Sequence, residues 1–210
     1  MSLRLLPFRQ YDENDVVNMF ALGRESALAA TTDDGNGSNG VFVSIATGNF
    51  DADTIEYVSD SYLGKSDYPF VGPDQYPVNS ALTVAATTSG AIPFGITLNQ
   101  TAKNDENGEK LLYNATKKEE LQAVLPGQTV PIATKGIFTL GLNAVDGGAG
   151  TNVFTVGTGI KISNTSAGKI TGVAPTDSTS FGTVIGTGER TSTGGLTDQF
   201  VGKYVVVKIG

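Results

Sequence analysis

Residues 123–140 read AVLPGQTVPIATKGIFTL, and no other run constrains the fold as much: it spells two β-strands joined by turn chemistry, with no reactive group among them. Pro126 presets φ near the value needed at the second position of a turn, and Gly127 accepts positive φ. Thr129, Val130, Ile132 and Thr134 are mostly β-branched. Lys135-Gly136 interrupts the run, and Ile137, Phe138, Thr139 and Leu140 resume it. The seam reads as a hairpin, and the whole run as part of a structural barrel.

At 210 residues the chain is long enough to bury a sizeable apolar core, either as one large all-β domain or as a core with an extension. Its 14 Lys and Arg against 21 Asp and Glu leave a net charge of −7, which opposes sequence-independent attraction to phosphate backbones or anionic lipid. No nucleic acid and no membrane are therefore expected as partners. The chain contains no His, Cys or Trp, which removes imidazole acid–base catalysis, thiol chemistry, disulfides and the usual zinc sites. The opening MSLRLLPFRQYDEND has too short an apolar run for a signal peptide, and no segment approaches the roughly 20 apolar residues of a membrane helix. The expectation is a soluble product made in the cytoplasm.

Residues 1–11 alternate basic and apolar groups around Pro7, and DENDVVNMFAL from Asp12 predicts a short helix. Asp12 stands as N-cap, acidic residues fill the first turn, and Val16, Val17 and Phe20 fall at helical spacing. The loop TTDDGNGSNG at 31–40 is too polar and glycine-rich to pack, and it sets a boundary: an N-terminal arm over 1–40, then a β-rich domain over 41–210. Strands are expected at 41–47, 54–60, 68–71, 82–88 and 93–98, each bounded by Gly, Pro, Asn or Asp. A second helix is expected at 117–124, where Thr116 and Glu119 have capping-box spacing. Further strands are expected at 153–156, 160–163, 169–173, 181–185 and 203–209.

Several motifs imitate chemistry but sit in the wrong context. Gly35, Gly37 and Gly40 match G-x-G-x-x-G, yet the strand-like VFVSIAT follows where a phosphate site needs a helix. Asp34, Asn36 and Ser38 begin like a calcium loop, but Asn39 replaces the required glycine and Ile45 the bidentate glutamate. Ser166 and Lys169 have S-x-x-K spacing, which serves catalysis only on a helix; here the pair lies in a Gly-centred turn. Carboxylates at Asp51, Asp53 and Glu56, at Asp105, Glu106 and Glu109, and at Glu119 and Glu120 read as solvated turns and a charged helix face. Tyr57, Tyr62, Tyr68, Phe70 and Tyr76 read as core or interface residues, with a sugar-stacking platform as the sharper alternative. No catalytic residue, no metal ligand and no cofactor is expected, and the chain is read as a non-enzyme.

The order AVLPGQTVPIATKGIFTL, SAGKITGVAP, FGTVIGTG and KYVVVKIG resembles the barrel of the tailed-bacteriophage head decoration proteins, also called capsid cement proteins. Gly168, Lys169, Gly182, Val184, Ile185, Gly186, Val205, Val206 and Val207 carry the match, over about residues 123–210. The resemblance implies a mainly β fold: an SH3-like or β-tulip barrel in the C-terminal half, with additional strands, short helices and an extended N-terminal arm. It also implies a structural virion protein on the outer capsid surface that cements neighbouring subunits without catalysis. Its partners would be the major capsid protein and copies of itself in a homotrimer. Leu3, Leu5, Leu6, Phe8, Val16, Val17 and Phe20 are the expected contacts with a neighbour or the shell, because apolar groups ahead of the Gly-rich loop have no evident place in a C-terminal barrel. The alternative reading is a carbohydrate-binding or host-adhesion module of a virion fibre.

Overall fold

The computed structural model describes residues 4–21, 39–46, 83–102, 105, 107–125, 129–146, 154–191 and 202–210. Strands account for 49% of them, against one six-residue α-helix, so the chain is mainly β as expected.

The N-terminus is neither arm nor helix. Strands β1 (Leu5–Gln10) and β2 (Val16–Ala21) flank a 3-10 turn at Glu13–Asp15. Asp12 does cap that turn, accepting a hydrogen bond from the Asn14 backbone N–H at 2.8 Å. The turn is not extended into a helix because Val16 and Val17, β-branched and stiff at χ1, meet a ladder partner that rewards extended backbone.

That partner comes from the run that dominates the sequence, which is not a hairpin. Its two halves are β8 (Thr129–Ala133) and β9 (Gly136–Gly141), and each pairs with an N-terminal strand. β8 runs antiparallel to β2 from Val16↔Ala133 to Phe20↔Thr129, and β9 runs antiparallel to β1 with Leu5↔Leu140 and Gln10↔Ile137. A two-residue hairpin of the favoured type needs positive φ at both central residues, and neither Thr134 nor Lys135 has it. Instead both chains turn the same corner together. The Thr134 backbone N–H and hydroxyl both donate to the Asp15 carbonyl, at 2.9 and 3.0 Å. Beside them Gly136, at φ +139°, lies so close to the other chain that a Cβ would stand 2.6 Å from the Gln10 carbonyl oxygen.

On one side of the corner, β2 and β8 join β3 (Phe42–Ala46), β4 (Thr83–Ala86) and β5 (Gly95–Thr97) in a closed ring, ordered β2-β4-β3-β5-β8 and back to β2. Met19, Val41, Val43, Val84, Val130 and Ile132 fill its interior. On the other side, β1 and β9 join β10 (Gly159–Ile162), β11 (Ile170–Val173), β12 (Gly182–Arg190) and β13 (Gly202–Ile209) in a sheet ordered β1-β9-β13-β12-β10-β11. Along β13, Val205, Val207 and Ile209 alternate inward with Tyr204, Val206 and Lys208 between them, the period-2 pattern of a half-buried strand. This sheet rolls up: Val145, just beyond β9, bridges Ile170 on the far-edge strand β11, and the Asp146 N–H donates to the Ile170 carbonyl at 2.9 Å. The C-terminal half is thus a curled sheet, and the hydrogen-bonded closed ring is built earlier, from strands within 16–133.

The helix predicted at 117–124 is α1, Ala115–Glu120, and Asn114 rather than Thr116 caps it, accepting from the Lys117 N–H at 3.2 Å. It ends before the short parallel pair β6 (Gln100–Thr101) and β7 (Ala123–Val124). Residues 154–156 form coil and turn rather than the expected strand. The strands expected at 54–60 and 68–71 and the Pro126-Gly127 turn lie outside the described residues.

Ring and sheet share one core, in which Phe42, Ile96 and Ala133 of the ring pack with Leu5, Phe138, Leu140, Ile160, Ile162, Val184 and Val207 of the sheet. The turn between β10 and β11 fastens them: the Gly168 N–H donates to the Thr87 carbonyl at 2.9 Å, and the Gly168 carbonyl accepts from the Phe42 N–H at 3.2 Å. Gly168 has φ +69°, and a Cβ there would lie 2.5 Å from Val41 Cγ1. Gly168→Ala is expected to cost about 2–4 kcal/mol, from left-handed backbone strain plus overpacking against Val41; a denaturation midpoint unchanged from wild type would refute this. Deleting residues 1–22 removes β1 and β2 and opens the ring, so that truncation is expected to lose the cooperative thermal transition seen by circular dichroism.

Candidate functional site

The expected shell contacts do not share one environment. Leu5 and Leu6 are buried, at 1% and 5% exposure, and Leu5 belongs to the shared core. Val16 is half-buried and packs against that core. For Leu5, Leu6 and Val16 the premise of no place in the β structure does not hold, since the pairing of β1 and β2 with β9 and β8 takes them into or against the buried interior. Phe8, 61% exposed, and Val17, 37% exposed, do present apolar surface. The Phe20 backbone pairs with Thr83 and Thr129. Leu3 lies outside the described residues, as do Gly35, Gly37, Asp34, Asn36, Ser38, Asp51, Asp53, Glu56, Glu106 and the aromatic group from Tyr57 to Tyr76.

The remaining motifs have structural employment. Gly40 takes φ +71° where its N–H donates to the Thr97 carbonyl at 2.8 Å, and the Asn39 side-chain oxygen accepts from the Leu5 N–H at 3.3 Å. The end of the Gly-rich loop therefore fastens β1 to the ring. The Ser166 hydroxyl donates to Asp146 at 3.2 Å, as do the hydroxyls of Ser163 and, at 2.6 Å, Thr165. Asp146 thus clamps the 163–166 turn beside the bridge that rolls the sheet, and this employs the serine of the S-x-x-K pair. Asp105 folds its own loop, accepting from the N–H groups of Asn107 and Glu109 at 2.9 and 2.8 Å. Among the described residues no three His, Cys, Asp or Glu side chains gather as a metal site would require, and no helix is long and apolar enough to cross a membrane.

The described residues do form an open groove of about 580 Å³ where the outer face of the ring meets the first corner of the chain. Its parts follow from pairing. The register Asn18↔Pro131 sets these two side by side on the face of β2 and β8 opposite Met19, Val130 and Ile132. Arg9, Tyr11 and Glu13 come from the end of β1 and the following turn. Tyr11 stacks on Phe138 with ring centroids 6.0 Å apart and an interplanar angle of 17°, and it keeps 38% of its surface exposed.

The opposite wall is Asn99, Glu119 and Gln122. The parallel register Gln100↔Ala123 brings Asn99 and Gln122 side by side, each one residue ahead of a paired position. The Gln100 side-chain N–H donates to the Leu121 carbonyl at 2.9 Å and holds the end of α1 against β6. Gln122 itself has φ +49° and is the only non-glycine residue with positive φ among the described residues. It stands just past the helix cap Leu121, where glycine is the usual solution, and a side chain there costs about 1–2 kcal/mol. Sequence reasoning missed this groove because its residues come from four separate segments. The predicted helix over 117–124 also ran through Gln122 and concealed its backbone state.

Comparison with protein-family models found no match, and searches of curated proteins and of solved structures found none either.

In the 174–180 loop the Asp177 carboxyl is held below the ordinary aspartate range, first by the Thr179 hydroxyl at 2.6 Å, then by the Thr179 N–H at 2.8 Å, with Lys161 adding a smaller attraction. A lowered folded-state pKa stabilises the fold above the unfolded pKa, and that contribution is lost as pH falls through the folded value. Thr179→Val is expected to move the Asp177 pKa upward in a carboxyl NMR titration and to weaken the acid-side loss of stability. An unmoved titration would remove the Thr179 hydroxyl as its principal cause.

Proposed function

We propose that this chain is a structural virion protein that binds the outer surface of a phage capsid and cements neighbouring major capsid subunits, acting without catalysis. The observation that carries the reading is that the decoration-protein resemblance falls on one connected piece of architecture. Gly168 and Lys169 form the turn between β10 and β11, Gly182, Val184, Ile185 and Gly186 lie in β12, and Val205, Val206 and Val207 lie in its neighbour β13. A cement protein needs a stiff frame and apolar contact surface, and a two-part β core with Phe8 exposed on the outermost strand β1 supplies both. On a shell, many such weak contacts multiply through avidity, and copies of the chain in a homotrimer multiply them further. The partners on this reading are the major capsid protein and the chain itself.

Mass spectrometry of purified virions and an electron-cryomicroscopy map of the head are expected to find the chain in many copies outside the major capsid protein; absence from virions overturns the reading. Within it, Phe8→Asp is expected to lower head occupancy by about tenfold while leaving the thermal midpoint close to wild type, since the side chain stands in solvent on an edge strand. Unchanged occupancy would exclude Phe8 from the contact.

A further inference from the structure

We infer that the groove between the outer face of β2 and β8 and the end of α1 is a binding site for a neutral oligosaccharide. The inference goes beyond the capsid reading and does not depend on it. It also uses different residues from the aromatic group at 57–76 that first raised sugar binding.

The chemistry of the lining selects the ligand class. Asn18, Asn99 and Gln122 each present an amide that donates and accepts, the complement of vicinal hydroxyls that do the same. Glu13 and Glu119 add acceptors, and the exposed part of the Tyr11 ring offers an apolar surface to the C–H face of a sugar. The charges count against an anionic ligand: one guanidinium, Arg9, stands against the two carboxylates of Glu13 and Glu119, so phosphate, sulfate or an acidic sugar meets net repulsion. The volume falls within the roughly 300–1,000 Å³ of small-molecule sites, and the groove is open at its rim, as a chain of sugar units requires.

The groove is also held ready. Tyr11 is held by its stack on Phe138, the backbone of Asn18 by the ladder opposite Pro131, and the backbones of Asn99 and Gln122 by the adjoining β6–β7 pair. Preorganised polar groups bind flexible hydroxylated ligands with less ordering cost. Gln122 is the telling residue. It occupies a left-handed position that glycine would take without strain, and it lines the groove together with Asn99.

The full-length chain would be applied to an array of neutral hexose and N-acetylhexosamine oligosaccharides beside sialylated and sulfated ones. The strongest neutral ligand would then be titrated calorimetrically. The expected result is retention of neutral oligosaccharides, with affinity reduced at least tenfold in both Gln122→Gly and Asn18→Ala, while Gln122→Gly melts at or above the wild-type temperature. This pairing of lost binding with kept or gained stability separates a ligand-facing role for Gln122 from a structural one. Asn18→Ala, at an exposed strand position, guards against a folding artefact in the first variant. No neutral oligosaccharide bound, binding undiminished in both variants, or selective retention of the sialylated or sulfated members would each overturn the inference. So would a basic peptide that displaces the bound sugar while binding more tightly, because it would assign the carboxylates to a different class of ligand.

Discussion

The fold depends on one long antiparallel pairing, residues 5–20 against 129–140, that crosses from the curled sheet to the closed ring without interruption of the chains. A sheet that must bend sharply loses ladder bonds at the bend, and the freed backbone groups then need other partners. Here the Asp15 carbonyl takes two donors from Thr134, and Gly136 lets the chains approach where a side chain would collide with the Gln10 carbonyl. The corner is thereby satisfied rather than merely tolerated. Because both sheets grow from the same two segments, Ala133 and Phe138 enter one core from opposite sides of the corner.

The second tie between the halves works by backbone rather than side chain. Gly168 joins the ladder ends of Phe42 and Thr87, and the Asp146 clamp on Ser163, Thr165 and Ser166 fixes the turn that carries it. Charge-assisted bonds to a carboxylate contribute more than neutral ones, and three hydroxyls on one aspartate remove most of the freedom of that turn. The serine that looks like a nucleophile in sequence thus helps to place a glycine.

How much of this was legible in sequence depended on the range of the interaction that decides each element. The strands of the C-terminal half were legible, because alternation along KYVVVKI and the β-branched residues of GIKI report local burial directly. Asp12 as a cap was legible for the same reason. The helix over 12–22 failed because Val16, Val17 and Phe20 satisfy helical spacing while Val17 and Met19 equally satisfy strand spacing. The choice was made by residues 129–133, more than a hundred positions away. The hairpin at 134–135 failed for the complementary reason: each half had a better partner at the N-terminus than in the other. The groove was invisible at every local scale, since its residues meet only through two registers and one αL backbone.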